Sequence, residues 1–415
     1  MRIAIPSAMG KLLLVGLLVA GCDGSSDARL DVGMDAGTVD ATPSPDSGVD
    51  SGTDASVDGG ADGRFDGGFD GGFDGGAPDA SRPPSGTHRG IPALPSWSTF
   101  DGAADETLSG SVGSSIRGEG TADAPYVFSC EGATIRNDRE NWLDVEGEYV
   151  IVRDCVLEDL GLRVRAPHAA VRNVQITGGG IRAAADDVVV TESSVNGYVH
   201  PTNDRHGLNV SCGRGPVWFV NNESSGNSGD GFQSGHNCTD NRPHDIYIGG
   251  LRCVNNRENC IDTKYVERVV FSGIDSEGHT PTGGDGFSSG SDGSGGVIGS
   301  DGDSLAVWIL DSEFRDHIGV RVEDGPDATL VGNRLAQGGT SIALQKHGED
   351  MWVIDTEGTG ETFLGRPDRD MNFLIRVDGN THPGSIDRRV RLDETPLADR
   401  ELEARFRDVF GFDLE

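Results

Sequence analysis

A pair of short strand-like segments recurs three times within residues 203–271. The first segment of each pair is entered through Gly or Asn and centres on Leu208, Phe232 or Ile261, and a more apolar segment follows it each time. Segments this short cannot bury a core alone, so each pair must stack on its neighbours. The recurrence therefore predicts a repeat architecture.

The same register extends through most of the chain. The inward apolar residue of the first strand recurs at intervals of 19 to 33 residues, at Leu143, Leu162, Ile181, Leu208, Phe232, Ile261, Phe287, Val320 and Ile342. The second strand recurs at residues 150–152, 170–172, 188–190, 217–220, 246–248, 269–271, 307–309, 329–331 and 352–354. We predict an all-β, right-handed parallel β-helix of about nine coils, with a β-sandwich of unrelated strands as the alternative.

The end of the chain has a different periodicity. Leu402, Phe406, Val409 and Phe410 recur at helical spacing within residues 397–410. A solenoid exposes an unpaired coil at each end, and natural solenoids cover it. We therefore predict that a short helix caps the open C-terminal end.

The N-terminus has the order of a processing signal. Arg2 and Lys11 accompany an apolar core that is too short to span a bilayer. The Val-Ala-Gly-Cys sequence that ends at Cys22 resembles a bacterial lipobox, which implies cleavage before Cys22 and lipidation of its thiol. We predict a signal peptide at residues 1–21 and an extracytoplasmic protein of the bacterial cell envelope, anchored to the membrane by lipid. A soluble secreted protein is the alternative.

Residues 22–87 are rich in Asp, Gly, Ser, Ala and Pro and include three Phe-Asp-Gly-Gly units. Such a composition cannot bury enough apolar surface to order itself. A four-residue unit is also too short for the nine-residue repeat of calcium-binding solenoids. We predict a disordered tether in this region and one monomeric β-helix domain at residues 88–415.

The chain is strongly acidic, with a formal net charge of −34. Residues 88–415 remain acidic when the aspartates of the tether are set aside. A surface of this sign argues against nucleic acid or anionic lipid as a partner. An anionic substrate would need a locally basic groove or bridging cations.

Six cysteines follow Cys22, an even number in a compartment that permits disulfides. Two of them follow corresponding strands on adjacent coils, and two others flank one turn. We predict three disulfides, although the sequence alone leaves their connectivity open: Cys212 with Cys238, Cys253 with Cys260, and Cys130 with Cys155. A zinc site is the alternative, but no Cys-x-x-Cys spacing or histidine cluster supports it.

Residues 278–304 are rich in Gly, Ser and Asp and contain Asp285, Asp292, Asp301 and Asp303. A solvated loop beside one coil explains this composition. Carboxylates on a flexible backbone also suit calcium, although the spacing of an EF-hand is absent. Ca²⁺ is therefore the one cofactor that the sequence suggests, and no metal ligand is assigned.

Side chains next to the inward residues should face outward, because strand residues alternate between the two faces. Read coil by coil, this outward column is polar: Asp144, Arg163 with Arg165, Arg182, Asn209, Gln233, Asp262 with Lys264, Ser288, Arg321 with Glu323, and Gln345. Coils stack about 4.8 Å apart, so the column forms a continuous strip. The strip suits an extended, acidic sugar chain; an ordinary solvated β-face is the alternative.

One segment of this column resembles an enzyme family. The sequence Asn-Asp-Arg-His-Gly-Leu-Asn at residues 203–209 is similar to a motif in bacterial alginate (mannuronan) C5-epimerases, with Leu208 where the family has Phe. Arg257-Glu258 and Lys264 resemble a later Arg-Glu and Lys pair, with one extra residue between them. The resemblance covers about 60 residues. It implies that Arg205, His206, Arg257 and Lys264 line a substrate cleft.

The chain departs from that family two coils earlier. The epimerases carry Tyr-Gly-Phe-Asp-Pro-His there, and these residues supply the main acid and base. The corresponding coil here has Leu162, Arg163 and Arg165, and the nearby Pro167-His168 is displaced. A true C5-epimerase reaction would therefore lack its usual groups.

A lyase reaction survives that loss. Uronate lyases and epimerases both abstract the C5 proton, and pectate-lyase-like β-helices often use Lys or Arg as the base with calcium. The resemblance implies Lys264 as the base, with His206 beside it and Arg205 and Arg257 on the sugar carboxylate. An ordinary lysine needs a lowered pKa for this role; otherwise it is a surface charge.

We predict a lipid-anchored β-helix that binds and modifies extracellular polysaccharide, as a lyase-like or epimerase-like enzyme. The candidate catalytic residues are Lys264, His206 and Arg205. The candidate substrate-binding residues are Arg163, Arg165, Arg182, Asn209, Gln233, Arg257, Asp262 and Arg321. The rival hypothesis is a non-catalytic surface protein that binds glycan or displays a rigid rod, because one fold hosts many functions.

Overall fold

The computed structural model describes residues 88–137, 141–200, 203–235, 237–279, 293–299, 304–324, 327–336, 338–347, 350–365 and 374–415. The predictions for the signal peptide, Cys22 and the tether lie outside these residues, as do those for Asp285, Asp292, Asp301 and Asp303. Within the described residues, no helix is long and apolar enough to cross a membrane.

The described chain consists almost entirely of short strands. In chain order they are β1 (Glu106–Thr107), β2 (Gly110–Ser111), β3 (Ser115–Glu119), β4 (Tyr126–Ser129), β5 (Thr134–Arg136), β6 (Trp142–Glu148), β7 (Val150–Glu158), β8 (Gly161–Val164), β9 (Ala169–Thr177), β10 (Ile181–Ala183), β11 (Val188–Thr191), β12 (Ser194–Asn196), β13 (Leu208–Val210), β14 (Val217–Val220), β15 (Glu223–Ser225), β16 (Phe232–Ser234) and β17 (His244–Gly249). They continue as β18 (Arg252–Val254), β19 (Ile261–Thr263), β20 (Glu267–Ser272), β21 (Asp275–Glu277), β22 (Ser294–Ile298), β23 (Leu305–Leu310), β24 (Glu313–Phe314), β25 (Ile318–Asp324), β26 (Thr329–Val331), β27 (Arg334–Leu335), β28 (Thr340–His347), β29 (Met351–Ile354), β30 (Glu357–Gly358), β31 (Thr362–Gly365), β32 (Leu374–Asp378), β33 (Ser385–Ile386) and β34 (Arg391–Asp393). A 3₁₀ turn at Ser96–Thr99 precedes them and one helix, α1 (Glu401–Phe410), follows them.

The strands stack in parallel into a β-helix, as predicted. Twelve of them form sheet 1, in the order β3, β6, β8, β10, β13, β16, β19, β22, β25, β28, β31 and β33. The other 22 form a second sheet with two rows side by side. Row 2 follows sheet 1 in each coil and includes β4, β11, β14, β17, β20, β23, β26, β29 and β32. Row 3 includes β5, β12, β15, β18, β21, β24, β27 and β30, and the long strands β7 and β9 contribute to both rows.

Twelve strands in sheet 1 mean that the estimate of nine coils was too low. The unpredicted coils lie at the two ends. Strand β3 alternates between exposed and buried residues but has only Ile116 and a glycine on its buried side. Strand β33 has two residues, neither of them buried. The apolar pattern of β3 and β33 is too weak to continue the repeat, whereas β31, in which Phe363 and Leu364 are buried, is an apolar coil that the prediction omitted.

The inward column is confirmed at eight of its nine predicted positions. Leu143 pairs with Leu162 on the next coil, and the register continues to Ile342 through paired residues. The named second strands also pair from coil to coil. The inward apolar side chains of both sets of strands form one buried cluster inside the solenoid.

Phe287 lies outside the described residues, and another residue occupies the inward position predicted for it. Gly296 pairs with both Ile261 and Val320, so it is the inward residue of this coil. A Cβ on Gly296 would lie 3.7 Å from the Phe314 ring, and one on the preceding Gly295 would lie 2.3 Å from it. A phenylalanine of row 3 thus fills the space that an inward side chain of sheet 1 fills elsewhere.

The turn from row 2 to row 3 explains the Asn, Asp and Gly that follow the second strands. Residues at this corner have positive φ, including Asn221 (56°), Asp311 (47°), Gly250 (63°) and Gly332 (67°). Asn, Asp and Gly enter this left-handed conformation at the lowest cost. The polar residue after each apolar strand is therefore a requirement of the turn.

Three disulfides join Cys130 to Cys155, Cys212 to Cys238, and Cys253 to Cys260. The first two link neighbouring coils, and the third closes the turn between β18 and β19. These are the predicted pairs.

The outer face of row 2 is covered by the two ends of the described chain. Its large side chains, among them Trp308 and Trp352, belong to a second apolar cluster outside the solenoid. From the C-terminal side, Phe406 of α1 packs edge-on against Trp308 at 5.1 Å. From the N-terminal side, Ile91 and Trp97 join the same cluster. The two segments meet where the Gly90 N–H donates to the Leu414 carbonyl at 3.0 Å.

The predicted helix is therefore present, but its place differs from the prediction. Helix α1 buries Leu402 and Phe406 against the side of the solenoid, and Glu401 accepts a hydrogen bond from Arg376 of β32 at 2.6 Å. The outward-facing aromatic residues of row 2 offer α1 more apolar area to bury than a single terminal coil does. This explains why the helix lies against the side of the solenoid.

Candidate functional site

The corner that leads into sheet 1 carries a column of side-chain hydrogen bonds. The backbone N of Asp230 lies 3.0 Å from Nδ1 of His206, that of Asn259 donates to Oδ1 of Asp230 at 3.1 Å, and that of Ser294 donates to Oδ1 of Asn259 at 3.3 Å. All four residues stand two positions before the inward residue of their strand. The first three side chains thus each bind the equivalent backbone N–H one coil further on, which satisfies a donor that the corner leaves without a ladder partner.

Asp230 is the centre of this column and is fully buried. Its Oδ1 also accepts from Nδ2 of Asn259 at 2.8 Å, and its Oδ2 accepts from Nε2 of Gln233 at 3.2 Å. Burial alone would raise the pKa of Asp230. The hydrogen bonds from His206 and Asn259 and the positive charge of Lys264 outweigh burial and hold that pKa below its usual range.

His206 is held by the same residue through two contacts. Its Nδ1 lies 3.1 Å from Oδ2 of Asp230, in addition to the contact with the Asp230 backbone N. Gly229 permits this approach, because a Cβ there would lie 2.6 Å from Nδ1. The two contacts belong to different tautomers of the neutral ring. When Nδ1 accepts the Asp230 N–H, the ring carries its proton on Nε2; when the proton is on Nδ1 and is donated to Oδ2 of Asp230, Nε2 keeps a lone pair and can accept a proton.

Glu258 has the opposite electrostatic situation. Burial raises the pKa of Glu258 to about 9, and the negative charges of Asp230, Asp204 and Asp262 add to this effect, while Lys264 opposes it. Glu258 is therefore protonated at neutral pH and can donate a proton. Two carboxyl groups with pKa values pushed in opposite directions are typical of paired acid and base functions.

Lys264 lies in the same group as an ammonium ion. Its Nζ is 3.3 Å from Oδ2 of Asp262, and the two side chains are only 13% and 5% exposed. An opposite charge at this distance favours the protonated form of lysine. This contact supports an electrostatic role for Lys264 more than the role of a base.

The polar column continues on both sides of this group. Towards the N-terminus, Arg163 binds both carboxylate oxygens of Asp144, at 2.6 and 2.8 Å, and Nε of Arg165 lies 3.1 Å from Oδ2 of the same residue. Towards the C-terminus, Nε of the buried Arg321 lies 3.0 Å from Oε1 of Glu323. These predicted substrate-binding arginines are thus also members of ion pairs within the column.

The outward register corrects one position of the predicted column. Ser288 lies outside the described residues, and Val297, which pairs with Asp262 and with Arg321, takes the position assigned to it. Ala343 pairs with Arg321, and Gln345 stands two residues further along the same strand, on the same face. The change at Val297 follows from the misplaced strand at Phe287. The column is therefore polar from Asp144 to Asp262, and apolar residues interrupt it further on.

The structure brings some predicted site residues together and separates others. His206 and Lys264 both act on Asp230, Lys264 also acts on Glu258, and Gln233 binds Asp230 directly. Asn209 donates to the Gln233 carbonyl at 3.1 Å. Arg205 instead lies over the ring of Tyr198, at 5.4 Å. The Arg257 backbone N–H donates to the Asn227 carbonyl, and among the described residues its side chain makes no ion pair.

Sequence reasoning missed Asp230, Glu258, Trp142 and Tyr198. The signal for Asp230 was present, because Gly-Asp-Gly at residues 229–231 stands at the same offset from its strand as Arg-His-Gly at residues 205–207. Glu258 stands next to the chosen Arg257, and only the backbone at the corner decides which of the two joins the cluster.

One group of possible metal ligands exists among the described residues. The ligand atoms of His206, Asp230 and Glu258 all lie within 4.8 Å of one another. Calcium takes six to eight oxygen ligands. This group offers two carboxylates and one imidazole, and the Asp230 oxygens already accept amide N–H groups. The donors therefore do not fit the calcium ion that the sequence suggested.

No protein-family model and no curated protein sequence matches the chain. Three solved structures illustrate its similarity to known folds. A mannuronic-acid-specific lyase of polysaccharide lyase family 6 from human gut microbiota shares 11% identity and a TM-score of 0.51, over 75% of this chain and 88% of that chain. A point mutant of the periplasmic alginate epimerase AlgG shares 10% identity and a TM-score of 0.42, over 67% and 76%. An alginate lyase from Paenibacillus sp. FPU-7 shares 13% identity and a TM-score of 0.35, over 67% and 89%. At such identities the first match supports the parallel β-helix fold, and none of them assigns an activity.

Proposed function

We propose that this protein is an extracytoplasmic polysaccharide-modifying enzyme that abstracts the C5 proton of a uronate held against sheet 1. The observation that carries the proposal is the cluster of His206, Asp230, Glu258 and Lys264. It combines an ionised carboxylate, a protonated carboxyl group, an oriented imidazole and an ammonium ion within one corner of the solenoid. An ordinary solvated β-face has no need of such opposed protonation states.

The residues divide the work of a β-elimination between them. Asp230 is a positioning residue: in the tautomer that donates Nδ1–H to the Asp230 carboxylate, Nε2 of His206 has a free lone pair and takes the C5 proton. The C4–O bond then breaks as the C4–C5 double bond forms, and Glu258 gives its proton to the departing oxygen. A base and an acid placed in this way each contribute roughly 10²- to 10⁴-fold to a rate.

Cations neutralise the sugar carboxylate, which makes the C5 proton acidic enough to remove. Lys264 serves this purpose in the proposal, because Asp262 favours its charged form. In this mechanism the base is His206. The sequence-based prediction that Lys264 is the base remains an alternative, which the Lys264→Ala variant tests.

The lyase is preferred to a C5-epimerase for a reason of geometry. An epimerase returns a proton to the opposite face of C5, so it needs a second acid there. The coil that would carry the family's Asp-Pro-His presents Leu162 to the core and Arg163 to Asp144. Among the described residues, that coil offers no acid.

The test is incubation of the purified chain with carboxylated polymers of different uronates, read by the ultraviolet absorbance of the unsaturated product. We expect product from at least one polymer, and a loss of roughly 10²- to 10⁴-fold in Glu258→Gln and in His206→Ala. Glu277→Gln is the matched control, because Glu277 is an acid of row 3 that pairs with Arg315. Proton exchange at C5 without absorbance would favour the epimerase alternative.

Binding without turnover or exchange would overturn the enzymatic proposal and leave the non-catalytic glycan-binding protein as the better account. The binding measurement is made on the same polymers, so the two hypotheses are separated by one set of samples. Lys264→Ala adds a second discrimination: a loss confined to kcat at unchanged pH dependence supports the electrostatic role.

We also propose that the domain at residues 88–415 is joined to a membrane through lipid on Cys22 and a tether at residues 22–87. Three disulfides fit an oxidising compartment. Mass spectrometry of the native N-terminus tests the anchor, and an unmodified residue upstream of Cys22 would contradict it.

A further inference from the structure

Two arginines and two aromatic rings alternate on the outer side of the first coils of sheet 1. The Arg182 guanidinium lies 5.5 Å from the centre of the Trp142 ring, and Arg205 lies 5.4 Å from the centre of the Tyr198 ring. The two rings meet edge to face at 6.2 Å. We call these four residues the aromatic–arginine cluster. Arg182 is exposed, and the other three are half-buried.

The charges of this cluster are not neutralised by nearby acids in the part of the chain that the structure describes. There, neither Arg182 nor Arg205 forms an ion pair, whereas the neighbouring Arg163 and Arg165 share Asp144. Partial desolvation, Arg163 and Arg205 lower the pKa of Arg182, and only Tyr198 opposes them. Like charges have therefore been gathered in a protein whose net charge is −34, an arrangement that favours an anion.

A second group of the same composition shows what a structural pair looks like in this molecule. On row 2, Arg376 and Arg405 lie 4.8 and 4.6 Å from the Trp352 ring centre. There Arg376 binds Glu401 at 2.6 Å, and Arg405 lies 3.8 Å from Asp327. Each arginine of this structural group has an acid, and helix α1 covers it. The aromatic–arginine cluster has neither feature among the described residues.

The rings of the cluster rest on glycines, which fixes their positions. Trp142 pairs with Gly161 on the next coil, and a Cβ on Gly161 would lie 2.7 Å from the Trp142 ring. A Cβ on Gly180 would lie 3.2 Å from the Tyr198 ring. Rigid aromatic faces with few rotatable bonds bind a sugar ring at low entropic cost.

From this geometry we infer that the aromatic–arginine cluster is a subsite for one anionic sugar residue, whose ring lies against Trp142 or Tyr198 and whose acid group lies between Arg182 and Arg205. The inference rests on the proposed function for the path of the polymer, since Arg182 stands three coils, about 14 Å, from Asp262 in the same column. The acid group can be a carboxylate or a sulfate ester, because guanidinium binds both by charge-assisted hydrogen bonds.

The experiment measures binding in the Glu258→Gln chain, so that no substrate is consumed. Titration calorimetry is run with oligomannuronate, with an equally long sulfated oligosaccharide, and with a neutral oligosaccharide. We expect binding of one or both anionic ligands, weakened about ten- to a hundredfold by Arg182→Ala or Arg205→Ala and about tenfold by Trp142→Ala. Binding of both, or of one, identifies the acid group that the subsite takes.

Folding and specificity are controlled in parallel. Trp142→Phe and Arg182→Gln keep most of the packing, so a loss of affinity in these variants is a loss of recognition. Trp352→Ala removes the chemically matched ring of row 2 and should leave the affinity unchanged. Unchanged affinity in Arg182→Ala, equal losses in Trp352→Ala, or no binding of any anionic ligand would each overturn the inference.

The outcomes also separate this inference from the proposed function. Arg182-dependent binding by a wild-type chain that yields no unsaturated product would retain the subsite and remove the lyase. Product formation with an unchanged KM in Arg182→Ala and Trp142→Ala would retain the lyase and remove the subsite.

Discussion

The two outer faces of the solenoid differ although the same coils build both. On row 2 the outward residues are Trp218, Tyr247, Trp308 and Trp352, all nearly buried beneath the two ends of the chain. On sheet 1 the outward residues from Asp144 to Asp262 are charged or polar, and several of them bind other residues of the column or of its corner. Side chains at outward positions do not fill the core of the solenoid, so the fold does not fix whether they are apolar or polar. Their chemistry therefore depends on what each face contacts.

The difference separates stability from function along one molecule. The covered face gains free energy from buried apolar area, at about 25 cal/mol per Å². The polar face holds Asp230, Glu258 and the arginines in costly environments and gains little from them. Substitutions on the covered face should therefore change mainly the free energy of unfolding, and substitutions on the polar face should change mainly ligand binding and catalysis.

The largest effect on stability is expected at Phe406. Its ring is fully buried against Trp308 and Phe412, so Phe406→Ala should reduce the free energy of unfolding by about 3–5 kcal/mol. Arg182→Ala on the polar face should change it by less than about 0.5 kcal/mol. Denaturant unfolding measures both. Equal changes in the two variants would remove the distinction between the faces.

The next largest effect is expected at the disulfide that links two neighbouring coils on the polar side. Replacing Cys212 and Cys238 by Ser opens a loop whose ends are 26 residues apart and should cost about 3 kcal/mol in the chain-entropy model. Unfolding of the oxidised wild type and of the double variant, both without reductant, gives the difference. The wild type with added reductant should approach the variant, and a variant as stable as the wild type would contradict the prediction.

The alternation that defines these faces was readable from the sequence. Leu208, Phe232 and Ile261 were placed in register because turns of any length leave the alternation within a strand intact. Phe287 failed because Gly296 has no side chain to detect, and Phe314 fills its place from another strand. Asp230 and Glu258 were missed because they lie at corners, where alternation ends and stacking alone decides which side chains meet. The lateral place of α1 was also missed, because the aromatic residues of row 2 fit the strand pattern whether or not another element covers them.

A smaller effect follows from the protonation of Glu258. Its pKa of about 9 in the folded protein lies above the ordinary value of 4.5, so the stability that it contributes is complete below pH 4.5 and is lost as the pH rises through 9. We expect a loss of about 1–2 kcal/mol over this range, after allowance for solvent and for the neighbouring acids. Glu258→Gln should abolish this loss. Thermal unfolding at pH 5, 7 and 9 tests the sign, and a wild type that gains stability relative to the variant at pH 9 would refute it.

The smallest effect is expected at the rim of the cover. Arg407 binds Asp413 at 2.7 Å, but the two side chains are 58% and 63% exposed. Exposed pairs contribute about 0–1 kcal/mol, so Arg407→Ala should shift the unfolding free energy by less than about 1 kcal/mol. A shift as large as that of Phe406→Ala would mean that charge, and not apolar contact, holds the cover in place.

The meeting of Gly90 with Leu414 also sets a length. The segment before β1 runs along the solenoid from the first coil, the segment after β34 returns from the last one, and the hydrogen bond between them closes at 3.0 Å. Adding one coil would move the two ends apart by about 4.8 Å, and removing one would make the segments overlap. The combined length of the two segments therefore matches the length of the solenoid. A β-helix that could otherwise grow by any number of repeats is held to this number of coils unless the segments change with it.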